Sequence, residues 1–352
     1  MSKAAELASL ATASETALSN RNIVINGAMQ ISERATSVAI SSDGYHTLDR
    51  WRTAISGLGS WTQTQSTDVP TGAGFASSLK MDCTSADASP AAGDYLQVAT
   101  RIEGQDVQRL KYGTSSAESM VLSFWVKSTK TGVNVVSFYQ DDGAKQISGS
   151  YTIGTSNTWE YKTITFVGNT VNAIANDNTR GFQVAWYLGA GSNRTSGTLR
   201  TTWTAYATAD EAVGQVNNAD STSNDWLITG VQLEVGTVVT ATPFEHRSVG
   251  QELALCQRYY QTINPKVNSI FAAGYQNNSE RISQVHRLGI EMRTEPTCTV
   301  NGTWTVSGCD QPVFTSFSKN VVSTHILKSG GAGSAYYHAN GTDDFFSMDA
   351  EL

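Results

Sequence analysis

Five histidines (His46, His246, His286, His325 and His338) and four cysteines (Cys83, Cys256, Cys298 and Cys309) are the residues of this 352-residue chain best suited to proton transfer, nucleophilic attack or metal ligation. Each of those jobs needs a second group at a defined spacing, such as a base beside its nucleophile or a partner that orients the imidazole. The histidines are scattered and bring no such partner in sequence. No GxSxG elbow, HExxH pair, phosphate loop or dinucleotide fingerprint occurs. No CxxC appears and no Cys/His cluster has zinc spacing. Gly331-Ala332-Gly333 lacks a third glycine and a following helix, so it reads as a hairpin turn. A polysaccharide-cleaving β-helix, with its paired carboxylates, would show short solenoid repeats, and none is present. The expectation is a protein that is not an enzyme and has no catalytic residues.

Binding is the chemistry the composition does offer. Eight Trp and thirteen Tyr are available. A flat ring stacks on the apolar face of a sugar while nearby Asn, Gln or Asp take its hydroxyls. Trp61, Trp203, Tyr206, Tyr336 and Tyr337 sit in polar settings and are the glycan-binding candidates. Most aromatics of a sandwich are core or interface anchors, which is the competing reading for each of them. Asp141-Asp142-Gly143 and Asn176-Asp177-Asn178 crowd oxygens that suit calcium. The same residues make ordinary Asx turns, and that reading is favoured. No cofactor is therefore expected beyond that calcium alternative.

The elements that must position these residues are strands. Hydrophobic residues make up 39% and charged residues only 16%, below the usual quarter or so. Thr and aromatics suit a pleated surface, and thirty Gly with six Pro fit many tight turns. From Asn22 to His246, Leu122, Phe124 and Val126 alternate with Ser123, Trp125 and Lys127, and Phe182, Val184, Trp186 and Leu188 repeat the period. Val231, Leu233 and Val235 do the same, and 95–102, 133–140, 146–153, 160–167 and 199–206 are further candidates. Many short strands between turn signals predict a jelly-roll β-sandwich.

Residues 4–18 place Ala4, Leu7, Ala11, Ser14 and Leu18 at a/d spacing, a short helix that needs a partner. Ser248 to Gln251 reads as a capping box opening a second helix that carries Val249, Leu253, Cys256 and Tyr260 on one face and ends before Asn264-Pro265. Strand patterns return from 266 to 352. The predicted organisation is mainly β: an N-terminal attachment or oligomerisation helix (1–21), a jelly-roll domain (22–247), a connecting helix (248–262) and a smaller C-terminal β-sandwich (263–352). Net charge is −7 without a basic stripe, so no nucleic acid is expected. No apolar run spans a bilayer, so no membrane insertion is expected. The opening Met1–Glu6 lacks a signal-peptide core, and synthesis in a cytoplasm is expected. Cys298 and Cys309 flank a strand turn, but a reducing cytoplasm favours thiols.

Three stretches carry a resemblance. Asn20 to Arg34 (NRNIVINGAMQISER) runs on to Gly44-Tyr45-His46-Thr47-Leu48-Asp49-Arg50-Trp51. Ile228 to Gly236 (ITGVQLEVG) leads to Ala241 to Ser248 (ATPFEHRS), and Glu252 to Tyr260 (ELALCQRYY) follows. In this order they resemble a family of bacteriophage tail fibre and appendage proteins common in marine phages, with Ala35 departing from its usual glycine. The resemblance frames residues 20 to 260 and implies a domain similar to jelly-roll carbohydrate-binding modules. It further implies a virion protein of the phage tail, receptor-binding at the host surface through a glycan or protein. A homotrimer is expected, held to other phage tail proteins by the N-terminal helix. A capsid decoration or head fibre protein is the alternative, and a polysaccharide-degrading tail enzyme a lesser one. Among the motif residues, Gly27 would permit a turn or bulge, Asp49 and Arg50 would pair beside a buried Trp51, and Phe244 would anchor the second helix.

Overall fold

The computed structural model describes Lys3 and residues 20–276, 281–327 and 333–352. The helix expected over residues 4–18 lies outside the described residues. The chain divides into two compact units, Met1–Glu252 and Leu253–Leu352.

Strands of the first unit are β1 (Ser37–Ile40), β2 (Gly44–Tyr45), β3 (Trp51–Ser56), β4 (Ser60–Ser66), β5 (Ser78–Ser85), β6 (Tyr95–Glu103), β7 (Met120–Ser128), β8 (Gly132–Gln140), β9 (Lys145–Ile153), β10 (Glu160–Phe166), β11 (Arg180–Ala190), β12 (Thr204–Ala205) and β13 (Asp225–Val235). They form a six-stranded sheet in the order β1-β4-β5-β13-β7-β10 and a seven-stranded sheet in the order β12-β9-β8-β11-β6-β3-β2. All named pairs are antiparallel within these sheets. The protein is a mainly β, jelly-roll sandwich, as the alternation requires.

Leu122, Phe124 and Val126 of the first sheet and Phe138, Phe182 and Trp186 of the second are fully buried between them. Phe124 meets Trp186 edge-on at 5.8 Å between ring centroids, and Trp51 meets Trp186 at 5.6 Å. Burying each such side chain stabilises the fold by about 1.5–3 kcal/mol or more. The predicted strand 199–206 shrinks to the two residues of β12. Its neighbours are diverted into a loop: Arg200 pairs with Asp210 at 2.6 Å, and the Trp203 indole donates to Val167 O at 2.7 Å.

The conspicuous polar node is Asn26, which is fully buried. Its Nδ2 donates to Ile31 O and Asp49 O at 2.8 and 2.9 Å, and its Oδ1 accepts from the amides of Gln30 and Ile31. Its own N–H goes to the Glu252 carboxylate, and its carbonyl takes the Trp51 indole at 3.0 Å. The positive φ in Asn26-Gly27 belongs to Asn26 (56°) rather than to the glycine. Gly27 answers a close approach instead: a Cβ there would lie 2.1 Å from Val231 O. Asp49 takes the Arg34 guanidinium at 3.0 Å, and Arg50 donates to Arg101 O.

The capping box at Ser248 is present: Ser248 N donates to Gln251 Oε1, and Gln251 N to Ser248 Oγ. The helix it opens, Val249–Gln257, is shorter than the predicted 248–262. Tyr260–Ile263 is already a strand, because its backbone pairs with Phe346–Asp349. Phe244 packs on Phe75 and His246, and Arg247 ties the helix start, its guanidinium bonding Val24 O, Asn22 O and Glu252.

Among the described residues the second unit holds three three-stranded antiparallel sheets. Its core packs Trp304 flat on Phe346 at 4.5 Å, with Met292, Met348, Val322 and Tyr337 around them. Within the expected strand region 266–352, Thr297–Val300 and Thr305–Ser307 form separate strands and Arg281–Arg287 forms another. The four cysteines are all thiols.

Asn26→Ala would take a hydrogen bond from the Ile31 and Asp49 carbonyls and from the Gln30 and Ile31 amides of the buried turn, with Ile31 O keeping the Asp49 amide. The expected loss is about 3 kcal/mol, a fall in Tm of roughly 6–12 °C for a unit of this size. Thermal unfolding followed by circular dichroism reads it. A fall below about 2 °C would show that neighbouring groups recover the lost bonds.

Candidate functional site

The outer face of the six-stranded sheet carries side chains that the alternation turns away from the core. Across β13, β7 and β10 the register aligns Thr229, Trp125 and Tyr161 in one row. Thr163 and Ser123 form the next row. Trp125 and Tyr161 approach to 5.3 Å with planes tilted by 49°, and Tyr161 is 46% exposed. Two large aromatics on the solvent side of a strand have no packing duty toward the core, so they form a platform.

Two loops raise walls beside it. Phe75 comes from the connection between β4 and β5, and Phe244 and His246 from the segment after β13. The three rings pack as a triangle, with centroids 5.0 Å (Phe75–Phe244), 5.3 Å (Phe75–His246) and 4.9 Å (Phe244–His246) apart. The β13 strand slips register between Thr229 and Gln232, and Gly230 sits in that irregularity at φ +62°. This bare backbone lets Phe75 lie against it. The result is a groove of about 760 Å³, lined by the platform, the Phe75 triangle, Thr163 and the 238–243 loop. No lining residue is Asp, Glu, Lys or Arg. Such a surface offers ring faces and a few hydroxyls, and no fixed charge. It suits a ligand with apolar faces and uncharged polar groups.

The five sequence candidates do not come together. Trp61 is a correction: it is 1% exposed, packs in the sandwich core and donates its indole N–H to Leu58 O at 2.8 Å. Tyr337 is another, 1% exposed in the second unit's core with its hydroxyl on Thr324 Oγ1 at 3.0 Å. Trp203 is half-buried and stacks on Phe182 at 5.8 Å, closing the end of the core. Tyr206 is exposed on the other sheet's side, edge-on to Tyr139 at 5.0 Å with its hydroxyl donating to Glu211 at 3.0 Å. Burial first, and then the Glu211 carboxylate among its neighbours, holds that phenol above its ordinary pKa. Tyr336 is half-buried in the second unit, parallel to His338 at 6.3 Å.

The loops considered for calcium use their oxygens internally. Asp141 grips the Arg180 guanidinium with both oxygens, Asp142 accepts from Ala175 N at 2.9 Å, and Asp177 Oδ1 accepts from the Thr179 amide and hydroxyl. Among the described residues no group of three or more His, Cys, Asp or Glu is placed to hold a metal. No helix among them is long and apolar enough to cross a membrane. His286 lies flat on Phe271 at 5.0 Å, and burial lowers its pKa.

No protein-family model and no curated protein matches the sequence. Among solved structures, the chain is similar to the enzymatically active domain of tailspike protein 4 of bacteriophage CBA120 at 14% identity and TM-score 0.33, over 61% of this chain and 22% of that one. It is similar to a CBM4 module at 14% identity and TM-score 0.30, over 60% and 98%. A third is TmCBM61 in complex with β-1,4-galactotriose, at 11% and 0.25, over 62% and 100%. All three scores lie below 0.5, so none of them bears on what this chain does.

Gly230→Ala would put a Cβ 2.5 Å from Phe75 Cζ at a positive φ. Phe75 has to leave its seat or the bulge has to change. The expected loss is about 2 kcal/mol, read as a fall in Tm. An unchanged Tm would mean that Phe75 is not packed on this bulge.

Proposed function

We propose that this chain is a non-enzymatic attachment protein of a phage particle, a tail fibre or receptor-binding appendage that holds a host-surface glycan. The aromatic groove over Trp125 and Tyr161 is the observation that carries the glycan part. An uncharged cleft floored by the half-buried Trp125 and the exposed Tyr161 is what a sugar's apolar faces need, and exposed ring surface in aqueous surroundings favours a partner that covers it. The phage assignment is supported by the ordered motifs of residues 20 to 260. These are the residues that fold the N-terminal segment, the end of β13 and the helix start onto one another. The virion, and its tail in particular, is the place where such a protein works.

The proposal includes a homotrimer, with the segment before Asn20 as its contact to other tail proteins. A trimer sets three grooves side by side, so weak single-site affinity becomes avidity. Mass photometry is expected to show a species of three chains, and a stable monomer at micromolar concentration would count against the trimer.

Binding is the direct test of the groove. Purified protein is titrated against immobilised neutral polysaccharides and oligosaccharides. Trp125→Ala and Tyr161→Ala are each expected to weaken binding by at least about tenfold, or roughly 1.4 kcal/mol. Tyr336→Ala, in the other unit, is expected to leave it within about twofold. If Tyr336→Ala alone abolishes binding, the site lies in the second unit and the groove reading is wrong.

A further inference from the structure

We infer that the groove continues into a second sugar subsite at Asp68, Lys127 and Trp159, so that the protein grips an internal stretch of an uncharged polysaccharide along β7 rather than a chain end. This rests on the carbohydrate reading of the groove and adds the ligand's class and its mode of binding.

Lys127 stands two residues beyond Trp125 on the same side of β7, and side chains at i and i+2 of a strand share a face. Two residues advance the strand by about 6.6 Å, which sets this cluster next to the Trp125 platform. Asp68, in the β4–β5 connection, ties the subsite together. Its Oδ2 accepts from Lys127 Nζ at 2.6 Å, and its Oδ1 accepts from the Trp159 indole N–H at 2.9 Å. Trp159 precedes Glu160, which pairs with Val126, so its indole is brought to Asp68 over the same end of β7. The indole is therefore oriented by its bond to a carboxylate that is itself held by an ion pair. Asp68 remains 42% exposed at its side chain, and Trp159 is half-buried.

The chemistry of this cluster differs from that of the groove in a useful way. A ring face lies beside one acceptor and one donor whose charges cancel. Hydroxyls can bond the free lone pairs of Asp68 and the remaining protons of Lys127. An acidic sugar gains little, because Lys127 is already neutralised and the groove holds no cation. Partial burial works to raise the Asp68 pKa, but the hydrogen bonds from Lys127 and Trp159 and the Lys127 charge outweigh it, and the carboxyl lies below its ordinary value. The acceptor thus persists into mild acid. Lys80 extends the same face, paired with Asp225 at 3.3 Å and Asp82 at 3.4 Å, so the ion-paired margin is neutralised there too.

The test uses the full chain and a ladder of uncharged gluco- and galacto-oligosaccharides, from monosaccharide to hexasaccharide, measured by calorimetry. For the wild type, affinity is expected to climb with length up to the tetrasaccharide. Trp159→Ala and Asp68→Asn are expected to lose about tenfold on the long ligands and to match the wild type on the shortest ligand that binds. Asp68→Asn keeps an oxygen for the Trp159 indole, which guards against simple misfolding. Trp125→Ala is expected to weaken every length. Binding that does not grow with length, or that both subsite variants leave unchanged on long ligands, overturns the subsite while the groove reading stands. If the wild type binds none of the ladder, the carbohydrate reading itself falls and takes the subsite with it.

Discussion

Everything in the first unit leans on one requirement, that the buried Asn26 have all of its polar groups bonded at once. An unpartnered buried amide costs about 1–3 kcal/mol, and Asn26 presents an amide side chain together with its own backbone N–H and carbonyl. They are satisfied by Ile31, Asp49, Gln30, Trp51 and Glu252, residues drawn from a loop, a strand start and a helix. The chain cannot meet that demand unless the N-terminal segment, β3 and the helix after β13 are all in place. Arg247 and Glu245 repeat the logic by bonding the backbone of Asn20, Asn22 and Val24. The ordered motifs of the sequence are the parts of this clasp, which explains why they stand more than two hundred positions apart yet act as one feature.

The groove is a consequence of the same fixity. Leu122, Phe124 and Val126 have to face the core, so Ser123, Trp125 and Lys127 have to face out. Pairing with β10 then sets Tyr161 beside Trp125, and pairing with β13 sets Thr229 on the other side. The irregularity at Gly230 and the clasp residues that follow β13 bring Phe244 and His246 round to meet Phe75. The site is thus made by the reverse side of a well-determined core, with walls supplied by the segment that also closes the fold.

Fold class was legible in sequence because period-two alternation is a local signal and this sandwich obeys it over β6 to β11 and β13. Of the strands it failed to announce, β3 and β4 carry Thr53 and Gln63 at buried positions, so their inner faces do not read as wholly apolar, whereas β5 does alternate, with Leu79, Met81 and Cys83 buried. The 199–206 run failed the opposite way. It alternates well, but Trp203 and Arg200 are committed to partners off the sheet. Of the site, Trp125 was visible as the outward member of a strong alternating strand, which is the signal that separates a platform from a core ring. Trp61 and Tyr337 drew attention through polar neighbours in sequence, yet those neighbours are simply the outward residues of the same strands. Phe75, Phe244 and His246 meet only through tertiary placement, and no local pattern marks them.

The low charge of the chain bears on what the site can select. With so few ionic side chains, most of the surface bonds through hydroxyls and amides, and it neither attracts nor repels a charged polymer strongly. On the outer face of the six-stranded sheet Lys127 is paired with Asp68, and Lys80 with Asp225 and Asp82. A pair already closed gives hydrogen-bond direction without net attraction, so discrimination rests on ring stacking and hydroxyl geometry. That combination gives modest affinity per site with little dependence on salt, because no counterions are released when a neutral ligand binds. Under the proposed binding role, strength would come from contact repeated along one polymer or across several copies of the chain.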